Sequence, residues 1–501
     1  MSAAAVRTDV RLAPDPRRVL ARLFVPGHEL LTSTESRATG VLGRLLALPE
    51  DVVTTTLTRV RQRYNGRHRD LADVLSRHYR QIAHRIPDVG PLSDDRTALI
   101  GAVFTQEFAI EGAALFNPAA VLHPDQSGLA DGAWRFLLSL RAVGEGHISS
   151  VEFRTGVAGP GLQLCLDTPG PHVETGDILP ATYKRDVFAA LLTEHGADGE
   201  SRRYLIGRLA ATFDNAELER ALVALTGQQV TRHGASHTAE LARHLARCSY
   251  EVAFCAKSAL TERVLWPHAP TETHGMEDVR LVRFVEDDGS ISYRGTYTAY
   301  DGVRVVPQLL ETSDFLSFRM AQLVGPAAKD KGLALFPRKV GGRYLALSRS
   351  DRESTGLATS DDGIRWGSPT KLRGPNQPWE LIQTGNCGSP IETTAGWLVL
   401  THGVGPMREY GIGALLLDLE EPSVVLACLS EPLLVPAEDE RNGYVPNVVY
   451  SCGALLVGEH LLVPYGASDA TVRFAFVDVA ALLARLAAEP SPSTMPANTS
   501  A

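Results

Sequence analysis

Glu311-Thr312-Ser313-Asp314 with Phe315 and Phe318 returns, 47 residues further on, as Ala358-Thr359-Ser360-Asp361 with Asp362-Gly363 and Trp366. Ser and Asp side chains accept hydrogen bonds from nearby backbone N–H groups, and an aromatic closes the hairpin, so each copy reads as a tight turn between two strands. The spacing suits one four-stranded blade of a β-propeller. Two unrelated hairpins give the same signal, so the surroundings matter. After Pro267 the chain is strand and turn almost to its end, punctuated by glycine and proline roughly every 8 to 15 residues.

Working outward, strands are also expected from about residue 102 to 167, in Trp134-Arg135-Phe136-Leu137-Leu138-Ser139-Leu140 and Gly161-Leu162-Gln163-Leu164-Cys165. Two stretches have helical texture instead. Val52, Leu57 and Val60, then Leu71, Val74, Leu75 and Ile82, recur mostly at three- and four-residue spacing, and Lys184 to Leu265 is rich in Ala, Leu, Arg and Glu. The expected organisation is a mainly β protein with an N-terminal helical region (1–100), a first β part (101–180), a helical insertion (181–266), the remaining β part (267–482) and a disordered Pro-, Ser-, Thr- and Ala-rich tail (483–501). The helical regions are expected to pack structurally or to form a homo-oligomer contact. His28, Glu35 and Arg37 are the residues there that would border a site.

At 501 residues with 44% hydrophobic and 21% charged residues, the composition is globular. A formal charge of -9 argues against a nucleic-acid or anionic-membrane partner, which attract basic footprints. No signal-peptide core and no long apolar run is visible, so a soluble cytoplasmic protein is expected. None of the six cysteines lies at a metal-ligand spacing, so buried free thiols and no metal are expected. Cys387, in the turn-rich Gly385-Asn386-Cys387-Gly388-Ser389-Pro390, has no local histidine to make it a nucleophile.

Chemistry gathers at strand ends. His274-Gly275-Met276-Glu277-Asp278-Val279-Arg280 sets two adjacent acids beside an arginine at a strand entrance. Alternation along a strand separates Glu277 from Asp278 and puts Asp278 and Arg280 on one face. In Phe116-Asn117-Pro118-Ala119 the amide can hydrogen-bond two sugar hydroxyls, or simply close a turn. Arg141 leaves an apolar strand, and Arg338-Lys339 ends another, where paired cations suit an anion or a solvated rim. His402 ends the apolar run Gly396 to Val404, and Tyr410 and Asp469 add a phenol and a carboxylate.

In order and context these segments resemble glycoside hydrolase family 130, the β-mannoside phosphorylases and mannosidases related to certain β-mannosyltransferases. The resemblance spans about residues 102 to 165 and 270 to 478, and excludes the helical stretches. It is carried by Phe116-Asn117-Pro118, Glu277-Asp278-x-Arg280, Tyr297-Thr298-Ala299-Tyr300-Asp301, Leu335-Phe336-Pro337-x-Lys339, Pro390-Ile391-Glu392-Thr393, Gly396-Trp397-Leu398, His402-Gly403-Val404, Leu415-Leu416-Leu417-Asp418 and Val445-Pro446-Asn447-Val448-Val449. It implies a five-bladed β-propeller with a central pocket and an inverting carbohydrate enzyme. Asp278 matches the catalytic proton donor, whose proton passes through a sugar hydroxyl in the phosphorylases while inorganic phosphate attacks from the opposite face. Asn117, Arg141 and Asp469 match positions that bind the mannose being cleaved, with Glu277 and Arg280 as supports of the acid. Arg304, Lys339 and His402 fall where the family holds phosphate, and Tyr410 where it holds phosphate or the adjoining sugar.

The chain departs from the family pattern twice. Val279 stands where proline is usual in Glu-Asp-Pro-Arg, and Gln383 stands where phosphorylases carry a lysine. Losing that cation weakens a dianion site. A hydrolase would instead need a carboxylate to activate water roughly 6.5 to 9.5 Å from the acid, for which Glu152, Glu311, Glu380 and Glu392 are available. The expected function is phosphorolysis of a β-mannosidic oligosaccharide or mannoside, with inorganic phosphate as co-substrate and no other cofactor. A phosphate-independent β-mannosidase and a propeller that only binds glycans are the alternatives.

Overall fold

A computed structural model describes residues 5–26, 37–227 and 234–489. His28, Glu35 and the chain beyond Glu489 lie outside the described residues. The chain divides into two compact units, one formed by residues 1–14, 113–169 and 175–501, the other by residues 15–112 and 170–174.

The larger unit is mainly β, in successive antiparallel groups. Ala114–Leu122, Trp134–Val143, Ser149–Gly159 and Gln163–Leu166 form the first, and Gly275–Val285, Ile291–Tyr300, Val305–Thr312 and Ser317–Gln322 the second. A parallel pairing of Gly275 with Ser149 joins these two into one sheet. Ala334–Leu335, Tyr344–Ser348, Thr355–Ser360 and Thr370–Arg373 follow, then Gln383–Asn386, Gly396–Val404, Tyr410–Leu417 and Val425–Cys428. The last group is Val449–Tyr450, His460–Ala467 and Thr471–Asp478, with Val6–Leu12 on its edge. Strands such as Gly396–Val404 are buried along their whole length, which is why they read as continuous apolar runs.

The two turns that define the sequence repeat do match, but one residue out of the expected register. Thr312 Oγ1 and Asp314 Oδ1 accept from the N–H groups of Phe315, Leu316 and Ser317, while Ser360 Oγ and Asp362 Oδ1 accept from those of Gly363, Ile364 and Arg365. Thr312 therefore corresponds to Ser360, and Asp314 to Asp362 rather than Asp361. Phe315 takes the left-handed φ of 56° that glycine supplies at position 363.

A second device recurs ahead of the strands that lead into the site. Glu272, Glu380 and Glu440 are buried, and each accepts the backbone N–H three residues back, from Ala269, Gln377 and Ala437. Each acid is satisfied by further donors, Glu272 by the Tyr250 and Tyr297 hydroxyls at 2.8 and 2.6 Å and Glu380 by Arg373 at 2.9 Å. Buried carboxylates persist only when so paired.

The insertion consists of Arg185–Glu194, Gly199–Ile206, Asn215–Thr226 and Ala235–Ala246. Asp198 and Asp214 cap two of these by accepting from Ser201 and Glu217 N–H. Its core of Leu191, Leu205, Leu222 and Leu245 continues into Leu323, Ile364 and Trp366, just beyond the strands Ser317–Gln322 and Thr355–Ser360. Helix ends earlier than the expected limit at 266, because Tyr250–Ala253 pairs with Ser317–Gln322, and Val264–Leu265 with Ser149–Gly159. At the C-terminus, the helix Val479–Ala488, capped by Asp478, overruns the expected start of a disordered tail at 483. Leu482 and Leu486 are buried in the β core, and that burial holds the helix.

The smaller unit has helices Arg37–Leu46, Glu50–Tyr64, Leu71–Ile82 and Asp94–Val103, and a ribbon of Val19–Leu23 with Thr105–Ala109. The expected helical region of 1–100 thus contains two strands, and its first, Val6–Leu12, belongs to the larger unit. Arg96 clasps the smaller unit by donating to the carbonyls of Leu45 and Leu48 and to Glu50. Gly101 lets two helices touch, since a Cβ there would sit 2.1 Å from the Leu75 carbonyl oxygen. Gly101→Ala is expected to destabilise this unit by about 1–3 kcal/mol through overpacking, read as a lowered first transition in a thermal melt.

Candidate active site

The site is built where strands lose their regularity. In Gly275–Val285 the ladder with Ile291–Tyr300 is regular up to Glu277 and again from Arg280, with a bulge between. Asp278 lies in that bulge at φ 56°. The bulge breaks the alternation expected from sequence, so Glu277, Asp278 and Arg280 are buried together, at 5, 8 and 1% exposure. Asn117 sits in a second bulge at φ 49°, between Phe116 and Ala119, and Asp469 in a tight turn at φ 49°. They line one polar cavity of about 500 Å³, with Arg141, Arg280, Val303, Val305, Asp330, Lys331, Arg349, Arg352, Gln383, His402, Arg408, Tyr410, Val448 and Tyr450. Six of the twelve described non-glycine residues with positive φ line it: Asn117, Asp278, Asp330, Arg352, Arg408 and Asp469. Strain concentrated in this way is retained where surrounding contacts over-determine it, as at functional sites.

Asp278 is held as an anion. Its Oδ1 accepts from Asn117 Nδ2 at 2.8 Å and faces Arg141 at 3.4 Å, while Arg280 donates to its backbone carbonyl at 3.0 Å. Burial is the largest influence and opposes ionisation. Arg141, Lys331, Arg280 and the Asn117 amide together outweigh it and hold the carboxyl below its usual range. Glu277 neutralises two cations, Arg141 and Lys331, each at 2.6 Å. Arg141 also donates to Ser149 Oγ and lies over the Phe116 ring, which fixes its guanidinium. The buried Asn117 Oδ1 receives no donor among the described residues, leaving an acceptor open toward the cavity.

The other side of the cavity's chemistry is cationic. Arg349 is half-buried and makes no ion pair among the described residues. Arg352 pairs with Asp330 at 2.5 Å, and Arg408 lies over the Tyr410 ring at 6.0 Å. His402 is fully buried, stacked on Tyr410 at 6.2 Å and edge-on to Tyr450 at 5.0 Å. Burial, then the charges of Arg349 and Arg280, push its pKa well below the ordinary histidine value, so it serves as a neutral imidazole. The Trp379 indole lies where Cβ atoms on Gly403 and Gly413 would intrude, at 2.4 and 2.8 Å, which packs the segment leading into Gln383 against the strand that bears His402.

Asp278, Asn117, Arg141, Asp469, Arg280, Gln383, Tyr410 and His402 thus converge as the sequence suggested, with Glu277 just behind them. Two expected phosphate ligands do not. Lys339 bonds Asp287 at 2.6 Å and lies over Tyr344, away from the cavity, because its strand end turns toward the Asp287 loop. Arg304 is exposed on a turn whose neighbours Val303 and Val305 face the cavity instead. His402 is present but carries no charge. The cations that sequence reading missed are Lys331, Arg349, Arg352 and Arg408. Arg349 follows the apolar strand Tyr344–Ser348, the same signal that singled out Arg141.

None of the glutamates proposed as a hydrolytic base lines the cavity. Glu152 bonds Arg154, Glu311 bonds Arg319, Glu380 bonds Arg373 and Glu392 bonds Arg338. Burial pushes the Cys387 thiol up to about 12, which removes it as a nucleophile. Among the described residues no cluster of His, Cys, Asp and Glu is placed to hold a metal ion, and no helix is long and apolar enough to cross a membrane.

The chain is similar in sequence to known mannoside phosphorylases. Beta-1,2-mannobiose phosphorylase of Listeria innocua is 32% identical over 45% of this chain and 64% of its own length, so the chain spans less than two thirds of that relative. The 1,2-beta-oligomannan phosphorylase of Thermoanaerobacter sp. strain X514 is 30% identical over 56% of this chain and 93% of its own. A solved structure of the Listeria innocua enzyme with beta-1,2-mannobiose aligns over 76% of this chain and 94% of its own at 22% identity and a TM-score of 0.45. Residues 231–487 match the glycoside hydrolase family 130 model, described as beta-1,4-mannooligosaccharide phosphorylase, and the chain belongs to that family.

Proposed function

We propose that the chain is an inverting phosphorylase that cleaves β-mannosidic linkages, with β-1,2-linked mannosides as substrates and inorganic phosphate as co-substrate. The observation that carries this reading is Arg349, a half-buried cation without a counter-ion, opening into the same cavity as the buried acid Asp278. A cation so placed needs an anion to complete its site, and phosphate supplies one. Gln383 and the neutral His402 add hydrogen-bonding capacity without charge, while Arg352 and Arg408 supply the charge that a lysine at 383 would have brought.

In the proposed reaction the phosphate oxygen forms a bond to the anomeric carbon as the glycosidic C–O bond breaks. The departing oxygen gains a proton from Asp278, directly or through a sugar hydroxyl, and the products are mannose 1-phosphate and the shortened sugar. Asn117, Arg141 and Asp469 bind the mannose that is transferred, and Glu277 and Arg280 brace the acid. The same reading takes the five strand groups as the blades of a five-bladed propeller. Its last blade is completed by Val6–Leu12 beside Thr471–Asp478, a support drawn from their pairing.

The test is incubation with β-1,2-mannobiose, with and without phosphate. Mannose 1-phosphate is expected, and only when phosphate is present. Free mannose released at the same rate without phosphate would overturn the phosphorylase reading in favour of hydrolysis.

A further inference from the structure

Charge accounting within the cavity leaves one carboxylate over. Glu277 is met by Arg141 and Lys331, Asp278 by Arg141 and Asn117, and Asp330 by Arg352. Asp469 has no hydrogen bond or ion pair among the described residues, although it lines the same cavity and is held there at φ 49°. Its neighbour Ser468 is anchored through the Glu440 carbonyl at 2.5 Å and the Val448 carbonyl at 2.7 Å, so the turn is fixed and the carboxyl has little freedom to seek a partner.

We infer that Asp469 is a second acid of this site, which takes up a proton more readily than Asp278 and passes it to Asp278 when substrate is bound. The inference rests on the phosphorylase reading and adds the source of the proton to it. Asp278 is surrounded by donors and cations that favour its anionic form, so an acid that must give up a proton in each turnover has to receive one first. Asp469 sees the opposite environment. Burial, and next the charge of Asp278, push its carboxyl up to about 6, against the pull of Arg141 and Arg408 and with a smaller push from Glu277. These are the charged groups that face it from the Gly275–Val285 strand, the Trp134–Val143 strand and the 406–408 turn.

The proton balance closes with hydrogen phosphate as the attacking species. The phosphate oxygen bonds to the anomeric carbon, the glycosidic bond breaks, and the departing oxygen takes its proton from Asp278. Asp469 has supplied that proton, the proton of the hydrogen phosphate passes to solvent, and Asp469, half-exposed at the cavity, is reprotonated from solvent. One carboxyl held low and one raised toward neutral pH in a single pocket is a division of roles that acid–base catalysis uses elsewhere.

The test follows carboxyl protonation in the ligand-free protein by infrared titration, where phosphate contributes nothing. The wild-type protein is expected to show a carboxyl that titrates near pH 6, and Asp469→Asn to lose it. Asp278→Asn is expected to keep this titration but move it to lower pH, because the neighbouring negative charge is gone. Persistence of the pH 6 carboxyl in Asp469→Asn, or an unmoved titration in Asp278→Asn, overturns the inference. The second variant decides the matter should the first fail to fold. Turnover distinguishes this from failure of the phosphorylase reading: free mannose released by the wild-type protein at the same rate without phosphate sinks the latter, whatever Asp469 does. A reservoir role further requires that Asp469→Asn lower kcat and not merely raise the KM for mannoside, and a change confined to KM would also overturn it.

Discussion

Asp278→Asn is expected to reduce turnover of β-1,2-mannobiose with phosphate by about 10²- to 10⁴-fold, the range that a positioned general acid contributes. The structure makes this substitution unusually clean. Asp278 occupies a left-handed backbone conformation at φ 56°, which asparagine tolerates better than other non-glycine residues, so the bulge survives. The Asn side-chain oxygen can still accept from Asn117 Nδ2 and Arg141, and Arg280 keeps its bond to the backbone carbonyl. Arg141 retains Glu277 as counter-ion at 2.6 Å. What is lost is the carboxyl as a proton carrier. The measurement is kcat alongside a thermal melt, and a folded variant with unchanged kcat would reject the role of Asp278. Asp278→Ala is a poorer probe, since it also leaves the Asn117 amide without its acceptor.

Most of the proposed site residues were legible because they stand at the ends of apolar strands, where a charge or amide has no structural excuse. Arg141, Asp278, His402 and Asp469 meet that description, Asn117 sits instead in a bulge within Ala114–Leu122, and the cavity unites all five. The order in which they face it was not legible. Alternation predicts opposite faces for Glu277 and Asp278, and only a bulge, which no residue between 277 and 280 announces, brings them together. The cations failed for a related reason. Lys339 and Arg349 each follow an apolar run, and only the turn beyond decides which meets an anionic loop and which meets the cavity. Lys339 finds Asp287, and Arg349 finds none. The edge strand Val6–Leu12 was missed because it buries little of itself. Its exposed residues alternate with half-buried ones, and its place comes from pairing with a strand far away in sequence, Val6 opposite Phe476.

Arg349→Met carries the second large expectation, a rise in the KM for phosphate of about 10²-fold or more, by analogy with loss of one preorganised donor to a developing anion. Arg349 reaches the cavity across two glycines. A Cβ on Gly385 would stand 2.3 Å from its Cδ, and one on Gly332 would stand 2.9 Å from it. The chain has thus cleared a channel for a charge that no described residue neutralises. Methionine is similar in length, is apolar and fills an irregular channel well, so packing is kept while charge goes. The resting protein gains from that exchange, because a half-buried cation without a partner opposes folding. The melting temperature of Arg349→Met should therefore hold or rise even as use of phosphate collapses, the trade expected where a site is kept at the expense of stability. Arg349→Lys restores the charge without the planar fork and should recover only part of the loss. An unchanged KM for phosphate in Arg349→Met would show that the anion is held elsewhere in the cavity, by Arg352 and Arg408. A lowered melting temperature would show that the arginine serves the fold.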